Sequence, residues 1–473
     1  MQITLLLPEI ALTIMVLVLF ATSLGKIKAG TLNLLALALS AFSLFAAIAG
    51  CGDQGVLFFD TYRVDALSQI FKIITTLGLF LVISSSSGLR GIAAHLRAEY
   101  YFFLTLGTFG LVALASSVEL LTILMSLEIA AFSLYVIIPF RHPEHYKNHM
   151  EAAIKYFLFG TIATGLMLFG MSYLFGVTGT TYLSEMGKVL PNLLSTEPLA
   201  VVGMILLLCG FFYKLALFPL HFLAPDVYTG AANETTSFIA TVPKATAIAV
   251  LVRLAHASGT EIGQLTWVLA VFAVGSMTIG NLSALVQNDL KRLLAYSSIA
   301  HAGYVMLGVL SANELGLASV IYYMGGYLLM NLSCFYVIYQ LAPAGENLTF
   351  EQLKGLYKRS PLLAFVLAAG AFGMTGIPPT IGFTGKLLVF TSAIQKGFYV
   401  LVIIGVINAA ISAFYYLKMV RAAYSQVEDP GDCVALSWPA KALGVFFIAS
   451  IILTGVLPQS LIALAKEAVA GML

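Results

Sequence analysis

Residues 203–246 read GMILLLCGFFYKLALFPLHFLAPDVYTGAANETTSFIATVPKAT, and this segment decides the fold of the chain. It is too apolar for a surface in water, yet Lys214 and Lys244 lie inside its hydrophobic runs. Because Pro219 has no N–H and its ring displaces the carbonyl four residues earlier, the Leu215 carbonyl should lose its helical partner. A free backbone group at membrane depth is tolerated only where protein or water surrounds it. The segment therefore predicts an interrupted transmembrane helix beside buried cations.

The composition of the whole chain is that of a membrane protein. Of its 473 residues, 60% are hydrophobic and only 10% are charged, whereas soluble domains carry about 25% charged residues. Apolar runs of about 20 residues recur from end to end, so we predict an all-α, multi-pass fold of about 14 transmembrane helices in the lipid bilayer. The first run, residues 4–24, lacks a preceding basic region and a small-residue cleavage site, so we expect a transmembrane helix and not a signal peptide.

A second interrupted helix is predicted in the later part of the chain. The sequence GIPPTIGFTGK, which ends at Lys386, holds the adjacent prolines Pro378 and Pro379. These prolines should free the carbonyls of Met374 and Thr375 from helical hydrogen bonds. Interrupted helices in corresponding positions of two halves are typical of inverted repeats with an ion path between them. We therefore predict two inverted five-helix repeats with discontinuous seventh and twelfth helices.

The predicted organisation is one membrane domain over residues 1–473. The spans are 4–24, 32–50, 66–87, 100–117, 119–139, 152–176, 200–228, 235–257, 264–285, 292–311, 314–341, 361–390, 397–422 and 439–464. They group into three N-terminal helices (1–99), a first repeat (100–257), a second, inverted repeat (264–422) and a C-terminal helix (439–464).

Basic residues predict the orientation of the chain. Connections after odd-numbered spans hold most of the 24 lysines and arginines, and loops rich in these residues face the cytoplasm. Both termini are therefore predicted on the outer side. The basic residues of these connections are Lys26, Lys28, Arg90, Arg97, Arg141, Lys147, Lys291, Arg292, Lys354, Lys358, Arg359, Lys418, Arg421 and Lys441.

Glu128 is an acidic residue near the middle of the fifth span, in LLTILMSLEIAAFSLY. A charged side chain at that depth costs about 2.5–3.5 kcal/mol on insertion scales, so it should face protein or water. We predict that Glu128 is an ion partner that tunes Lys214. The alternative is a fixed structural ion pair, but apolar packing would fill a purely structural role at a lower cost.

Lys214, Lys244 and Lys386 are the predicted proton carriers. An exposed lysine keeps its proton at neutral pH, whereas burial favours the neutral amine and a nearby carboxylate favours the ammonium. A buried lysine whose carboxylate partner can move therefore alternates between holding and releasing a proton, which arginine cannot do. The alternative for each is a side chain that extends to the membrane interface.

Two further residues, Lys155 and His301, are candidates for which a proton-carrying role and a structural role both stay open. Lys155 lies near the start of the sixth span, where it either carries a proton or extends to the interface. His301, in the polar stretch SSIAH between the two repeats, can carry a proton at physiological pH. For Lys72, a side chain that extends to the membrane interface is favoured over a proton carrier.

The remaining charged residues are given structural roles. His221 and Asp226 flank the first interruption and are expected to hold its geometry. Lys291 and Arg292 begin the tenth span and are expected to anchor its orientation.

Several classes of site and partner are excluded. The net charge of +2 is too small to indicate nucleic-acid binding. The four cysteines have no CxxC spacing, so neither a metal site nor a redox centre is predicted. The segment RHPEHYKNHM, residues 141–150, holds three of the seven histidines, and a solvated connection is favoured there over a metal site.

Four motifs carry a resemblance to a known family: KLALFPLHFLAPDVYTGA, VPKAT, NDLKRLLAYSSIAHAGY and GIPPTIGFTGK. They resemble the antiporter-like subunits of proton-pumping NADH:quinone oxidoreductase (respiratory complex I), and PDVYTGA together with Lys386 resembles the N subunits within that family. The resemblance covers nearly the whole chain. AANETTSF, after PDVYTG, is a departure, because the family usually has a proline soon after the glycine.

The resemblance implies a proton-translocating subunit of a bacterial inner membrane. In that family Glu128 and Lys214 would form the coupling pair, Lys244 the central relay and Lys386 the exit-side residue. No cofactor is expected in this chain, and NADH, flavin, iron–sulfur clusters and quinone would belong to partner subunits. The partners would be the other membrane subunits of the oxidoreductase complex.

Three other functions stay open from the sequence, one of them that of a subunit of a chloroplast-type or other oxidoreductase that uses a different electron donor. The chain could be a subunit of a multi-subunit cation/proton antiporter without redox partners, which predicts a dependence on sodium or potassium. It could also be a structural membrane subunit, which predicts that lysine-to-alanine changes spare pumping.

Overall fold

Helices make up most of the chain in the computed structural model, which describes residues 3–25, 27–86, 88–142, 146–259, 263–428 and 431–472. Short 3₁₀ turns lie at Ile3–Leu6, Ala94–Leu96 and Ile138–Phe140. The α-helices are α1 (Leu7–Ser23), α2 (Ala29–Ala49), α3 (Ala66–Ser85), α4 (Arg97–Ser116), α5 (Leu120–Ile137), α6 (Tyr146–Thr178), α7 (Leu183–Thr196), α8 (Pro198–Leu215), α9 (Ala224–Gly230), α10 (Asn233–Ala257), α11 (Gly263–Leu285), α12 (Leu290–Ser311), α13 (Glu314–Leu341), α14 (Phe350–Leu353), α15 (Leu356–Arg359), α16 (Pro361–Thr375), α17 (Ile381–Gln395), α18 (Tyr399–Ala423), α19 (Trp438–Val456) and α20 (Gln459–Ala470).

The predicted membrane fold is confirmed. Thirteen helices in the described part of the chain are long and apolar enough to cross a membrane. The predicted seventh span is interrupted between α8 and α9, and the predicted twelfth span is divided into α16 and α17, each 15 residues long. The division into inverted repeats, residues 100–257 and 264–422, stays a prediction.

Three details differ from the sequence-based expectation. The predicted last span, 439–464, is two helices, α19 and α20, because the residue before a proline is disfavoured in the helical region and Leu457 precedes Pro458. The connection 177–199 contains α7, whose buried side recurs at helical spacing through Leu183, Met186, Leu190 and Leu194. A short hairpin also pairs strands β1 (Gly55–Leu57) and β2 (Tyr62–Val64) in antiparallel register, with Gly55 opposite Val64.

The connections alternate between the two ends of the helix bundle. One end carries residues 88–96, 138–142 and 286–289, and we call it the basic end. Isolated backbone bridges join Ile92 to Arg141 and Asp289 to Thr349 at the basic end, and Tyr62 to Ser117 and Glu119 to Tyr182 at the opposite end. The connections alternate because each long helix carries the chain from one end of the bundle to the other.

A buried ion pair joins α3 to α10 at the end opposite the basic end. Asp65 accepts the N–H of Ser68 as the N-cap of α3, and its two carboxylate oxygens accept hydrogen bonds of 2.8 Å from the Arg253 guanidinium. Burial alone would raise the pKa of Asp65, but the charge of Arg253 holds it below its usual value. This pair fixes the relative positions of the two helices.

The centre of the bundle consists of α10, α12 and α13. In the most apolar part of each helix, 94% of the residues of α10 and α12 and 89% of those of α13 are buried, against 22% in α19. The outer helices therefore present apolar side chains outward, as a lipid-facing surface does. Any ionisable group on the central helices must find its partners inside the protein.

Candidate functional site

The first interruption follows the last turn of α8. The helix ends at Leu215, as predicted from Pro219, and Ala216 adopts the left-handed conformation with φ of 57°. The chain then runs irregularly to α9, and the Phe218 N–H donates to the Ser276 hydroxyl of α11 at 2.8 Å. Such irregular backbone is tolerated at membrane depth only where protein supplies its hydrogen bonds.

Lys214 lies at the end of α8 in an aromatic box. Its ammonium nitrogen is buried and has no hydrogen-bond partner in the described part of the chain. It lies 5.2 Å from the ring centre of Tyr135 and 5.6 Å from those of Tyr156 and Tyr213. The negative faces of aromatic rings attract a cation, so these three rings partly replace its solvation.

Glu128, the predicted ion partner of Lys214, makes no direct contact with its ammonium in the described structure, and the tuning of Lys214 by Glu128 stays a prediction. Glu128 Oε1 instead accepts a 2.7 Å hydrogen bond from the Thr164 hydroxyl of α6, while Lys214 is enclosed by tyrosine rings. The carboxylate still acts on the ammonium through space. Sequence reasoning could not see that α6 supplies a competing donor for Glu128.

Lys244 lies on the central helix α10 and is 4% exposed. Its ammonium donates to the Ser298 hydroxyl of α12 at 2.7 Å and lies 5.7 Å from the ring centre of Tyr228. The Tyr228 and Ser298 hydroxyl oxygens are 3.4 Å apart. The Lys244 ammonium therefore donates to a neutral hydroxyl and not to a carboxylate.

Two small cavities meet at Lys244. A cavity of about 30 Å³ is lined by Lys214 and Lys244 together. Another, of about 10 Å³, is lined by Lys244, Ser298 and His301. Because a water molecule needs about 10–15 Å³ and several polar partners, these spaces match water-sized links between the ionisable groups.

His301 connects the central helices to the second interruption. It is 3% exposed, with Nδ1 at 2.6 Å from the Tyr323 hydroxyl and Nε2 at 3.1 Å from the Tyr416 hydroxyl. The ring centres of His301 and Tyr304 are 6.0 Å apart. An imidazole held at both nitrogens can pass a proton from one side to the other.

Lys386, on α17, bridges the second interruption by hydrogen bonds to the end of α16. Its ammonium donates to the carbonyls of Met374 at 2.8 Å and Thr375 at 2.9 Å, the two groups that the paired prolines were predicted to free. It also lies 4.8 Å from the ring centre of Tyr304. We call the resulting set the polar row: Lys214, Lys244, Ser298, His301, Tyr304, Tyr323, Tyr416 and Lys386.

Lys155 lies outside the polar row. Its ammonium contacts Glu151 at 2.6 Å and Asp226 at 3.1 Å, and Asp226 also pairs with Arg292 at 3.1 Å. These side chains are substantially exposed, with Lys155 and Arg292 both at 37%. The sixth-span candidate thus belongs to a surface ion network near the basic end, and Asp226 helps to hold α9 in place, as expected.

Two lysines have buried partners that the sequence did not indicate, and for one of them, Lys72, the expectation was wrong. Lys72 does not extend to an interface: it is 1% exposed and pairs with Glu9 of α1 at 2.6 Å. Lys291, expected to anchor the orientation of the tenth span, is fully buried and donates to the Ala231 carbonyl at 2.9 Å; its anchoring role stays a prediction. Both partners lie far away in the sequence, so spacing along the chain gives no signal for them.

No metal centre is found in the part of the chain that the structure describes: no three His, Cys, Asp or Glu side chains are grouped there. Of the histidine-containing segment 141–150, residues 143–145 lie outside the described residues.

Comparisons with known proteins place the chain in a family. The sequence model described as NADH:quinone oxidoreductase/Mrp antiporter, TM matches residues 117–412. The chain is 46% identical over 454 residues to NADH-quinone oxidoreductase subunit N 2 of Opitutus terrae. The aligned residues cover 96% of this chain and 95% of that protein. The chain belongs to the NADH-quinone oxidoreductase subunit N family. The resemblance to this family that the sequence motifs indicated is confirmed.

Solved structures of similar chains share the fold. A chain of respiratory complex I from Thermus thermophilus is 29% identical and superposes with a TM-score of 0.82 over 97% of this chain and 99% of that chain. A chain of the Mrp complex from Dietzia sp. DQ12-45-1b is 20% identical and superposes with a TM-score of 0.86 over 100% of this chain and 98% of that chain. At that lower identity the likeness concerns the fold alone.

Proposed function

We propose that this chain moves protons across the membrane along the polar row, as the antiporter-like subunit of an NADH:quinone oxidoreductase. Lys214 begins the row with Glu128 as its coupling partner, Lys244 is its centre, and Lys386 is its exit-side residue. The observation that carries the proposal is the place of Lys244 between two water-sized cavities that reach Lys214 on one side and His301 on the other.

The chemistry of the row suits proton transfer. A buried lysine can exist as ammonium or as neutral amine near neutral pH, whereas arginine keeps its proton. Hydroxyls and imidazole both donate and accept hydrogen bonds, so they pass a proton without carrying a permanent charge. A proton released by Lys244 can therefore be received by His301 through Ser298 or through water in the shared cavity.

The energy for transport comes from partner subunits in this proposal. NADH, flavin, iron–sulfur clusters and quinone are held by those subunits, and this chain carries no redox centre. Moving one charge against a membrane potential costs about 2.3 kcal/mol per 100 mV. A change in charge at Glu128, which acts on Lys214 through space, is the means by which a neighbouring membrane subunit would start a transfer.

The orientation is part of the proposal. The basic end faces the cytoplasm of a bacterial cell, since loops rich in lysine and arginine stay on that side. Both termini then lie on the outer face of the inner membrane. Protons enter at the basic end and leave at the opposite end.

The test is proton pumping by inverted membrane vesicles whose complex contains Lys244→Ala or Lys244→Arg, with NADH oxidation measured in parallel. We expect pumping and NADH oxidation to fall together by about tenfold or more in both variants, because alanine cannot bind the proton and arginine cannot release it. Lys188→Ala is the control, because Lys188 is exposed and paired with Glu185 on α7. Wild-type rates in both Lys244 variants, in an assembled complex, would show that the lysine is structural.

A further inference from the structure

A buried carboxyl group, Glu234, lies at the basic end of α10. The residue is 1% exposed. Its Oε1 accepts a hydrogen bond of 3.2 Å from the Gly91 N–H, and its Oε2 is buried with no hydrogen-bond partner in the described part of the chain. Leaving a buried carboxylate oxygen without a donor costs free energy, so a purely structural role does not explain this group.

Lys291 and Arg141, the two cations whose charges act on Glu234, direct hydrogen bonds to backbone carbonyls at the end of α9. Lys291 donates to the Ala231 carbonyl at 2.9 Å. Arg141 donates to the carbonyls of Thr229 at 2.7 Å and Gly230 at 3.2 Å. Both cations are therefore used to hold the end of α9, and they act on Glu234 only through space. Their field favours a negative charge at the position where Glu234 lies.

A polar stripe leads from Glu234 along α10 to Lys244. Ser237, Thr241 and Lys244 follow Glu234 at intervals of three or four residues, so all four side chains share one face of the helix. The ten residues from Glu234 to Lys244 correspond to about 15 Å along the helix axis. A cavity of about 10 Å³ is lined by Glu234 and Ser237 at the beginning of this stripe.

The facing helix α13 adds another unpartnered polar group. Asn331 is fully buried, and neither its amide nitrogen nor its amide oxygen has a hydrogen-bond partner in the described residues. It lies one helical turn from Tyr327, whose hydroxyl donates to the Ala240 carbonyl of α10 at 3.0 Å and which lines the cavity beside Lys244. Among the described residues, unpartnered polar atoms therefore lie at Glu234 on α10 and at Asn331 on the facing helix α13.

We propose that Glu234 is the proton acceptor at the basic end that supplies Lys244. The carboxylate binds a proton arriving from that end and becomes a carboxylic acid. It then gives the proton, through water between Ser237 and Asn331, to the neutral amine of Lys244, which becomes ammonium while the carboxylate is restored. The inference rests on the proposed function, because it needs Lys244 to act as a carrier. It assigns a role to AANETTSF, the segment that departs from the family pattern.

The experiment compares Glu234→Gln, Glu234→Asp and Lys244→Ala in the assembled complex, in inverted vesicles, by the initial rate of NADH-driven proton uptake. Glutamine keeps the acceptor for the Gly91 N–H but cannot bind a proton, so the rate should fall by about tenfold or more. Aspartate keeps the carboxyl group and should restore much of the rate. Glu119→Gln is the matched control, because Glu119 is a buried carboxylate that accepts a backbone N–H, at the opposite end.

The outcomes separate this inference from the proposed function. Wild-type rates in Glu234→Gln with an inactive Lys244→Ala would overturn the role of Glu234 and leave the polar row intact. Full activity of Lys244→Ala would overturn both. If Glu234→Gln fails to assemble, Asn331→Leu replaces it, since replacing an unpartnered buried amide by an apolar group of similar size should preserve folding. A slower rate in Asn331→Leu supports the path, and an unchanged rate overturns it.

Discussion

The two interruptions place a lysine at the same kind of helix end but hold it in different ways. At the first, Lys214 belongs to the ending helix α8 itself, and its ammonium contacts aromatic faces and has no hydrogen-bond partner among the described residues. At the second, Lys386 belongs to the following helix α17 and reaches back to α16, where two carbonyls accept its protons. Both cations lie near the C-terminal end of a helix, where the helix dipole favours positive charge.

The difference teaches which lysine is free to lose its proton. Carbonyl oxygens are acceptors only, so the two hydrogen bonds of Lys386 stay possible but become weaker, uncharged ones when the ammonium loses its proton. Lys214 has no hydrogen bond among the described residues to weaken in this way, and its charge is stabilised by ring faces and by Glu128 at a distance. We infer that the first interruption responds to charge changes nearby, whereas the second holds its cation and geometry more firmly.

The largest expected effect is a difference in thermal stability between variants of Lys386 and Lys214. Methionine has an unbranched apolar side chain like the lysine stem, and in Lys386→Met it would leave the Met374 and Thr375 carbonyls without their donor. We expect a destabilisation of about 1–3 kcal/mol for this variant and none for Lys214→Met, which removes a buried, poorly paired cation. The measurement is the temperature at which the chain is lost from the solubilised, heated complex. Equal losses for both variants would break the comparison.

A smaller effect tests the aromatic box at the first interruption. Tyr135→Leu removes the ring nearest to the Lys214 ammonium and should weaken its stabilisation by about 0.5–2 kcal/mol. We expect the pumping rate in vesicles to change accordingly, by about 2- to 30-fold. Tyr135→Phe keeps the ring and removes a hydroxyl that has no hydrogen-bond partner in the described residues, so it should pump as the wild type does. A slow Tyr135→Phe variant would mean that the hydroxyl, and not the ring, is needed.

The smallest effect is expected at Lys155. Its ion pairs with Glu151 and Asp226 are partly exposed, and such pairs contribute about 0–1 kcal/mol. We expect Lys155→Ala to leave both pumping and the thermal stability of the complex nearly unchanged. A loss of pumping as large as that of Lys244→Ala would show that a surface cation also belongs to the path, and burial would no longer distinguish the carriers.

Much of the candidate site follows from local sequence rules. The prolines predict where the helices break, because each removes a donor and displaces a carbonyl at a fixed distance along the chain. The carbonyls of Met374 and Thr375 were identified in this way, and Lys386 donates to both of them. A lysine in an apolar run also indicates a buried cation, because its burial is costly enough to need a reason.

The partners of these groups could not be predicted in the same way. Glu128 bonds to Thr164, Lys72 pairs with Glu9, and Lys244 bonds to Ser298. Each partner lies on another helix, and a helix with several polar residues offers more than one candidate. Only the rotation and depth of the packed helices select among them.

By itself, the sequence determined the membrane class, nearly all of the spans, the two interruptions and the lysines of the row, because hydrophobic length and proline chemistry act within one segment. The tertiary structure decided that Lys214 lies among tyrosine rings, that His301 lies between two tyrosine hydroxyls, and that one oxygen of Glu234 has no hydrogen-bond partner among the described residues. The physical reason is that hydrogen bonds and ion contacts act over a few ångströms, and residues far apart in the chain come that close only when the helices pack.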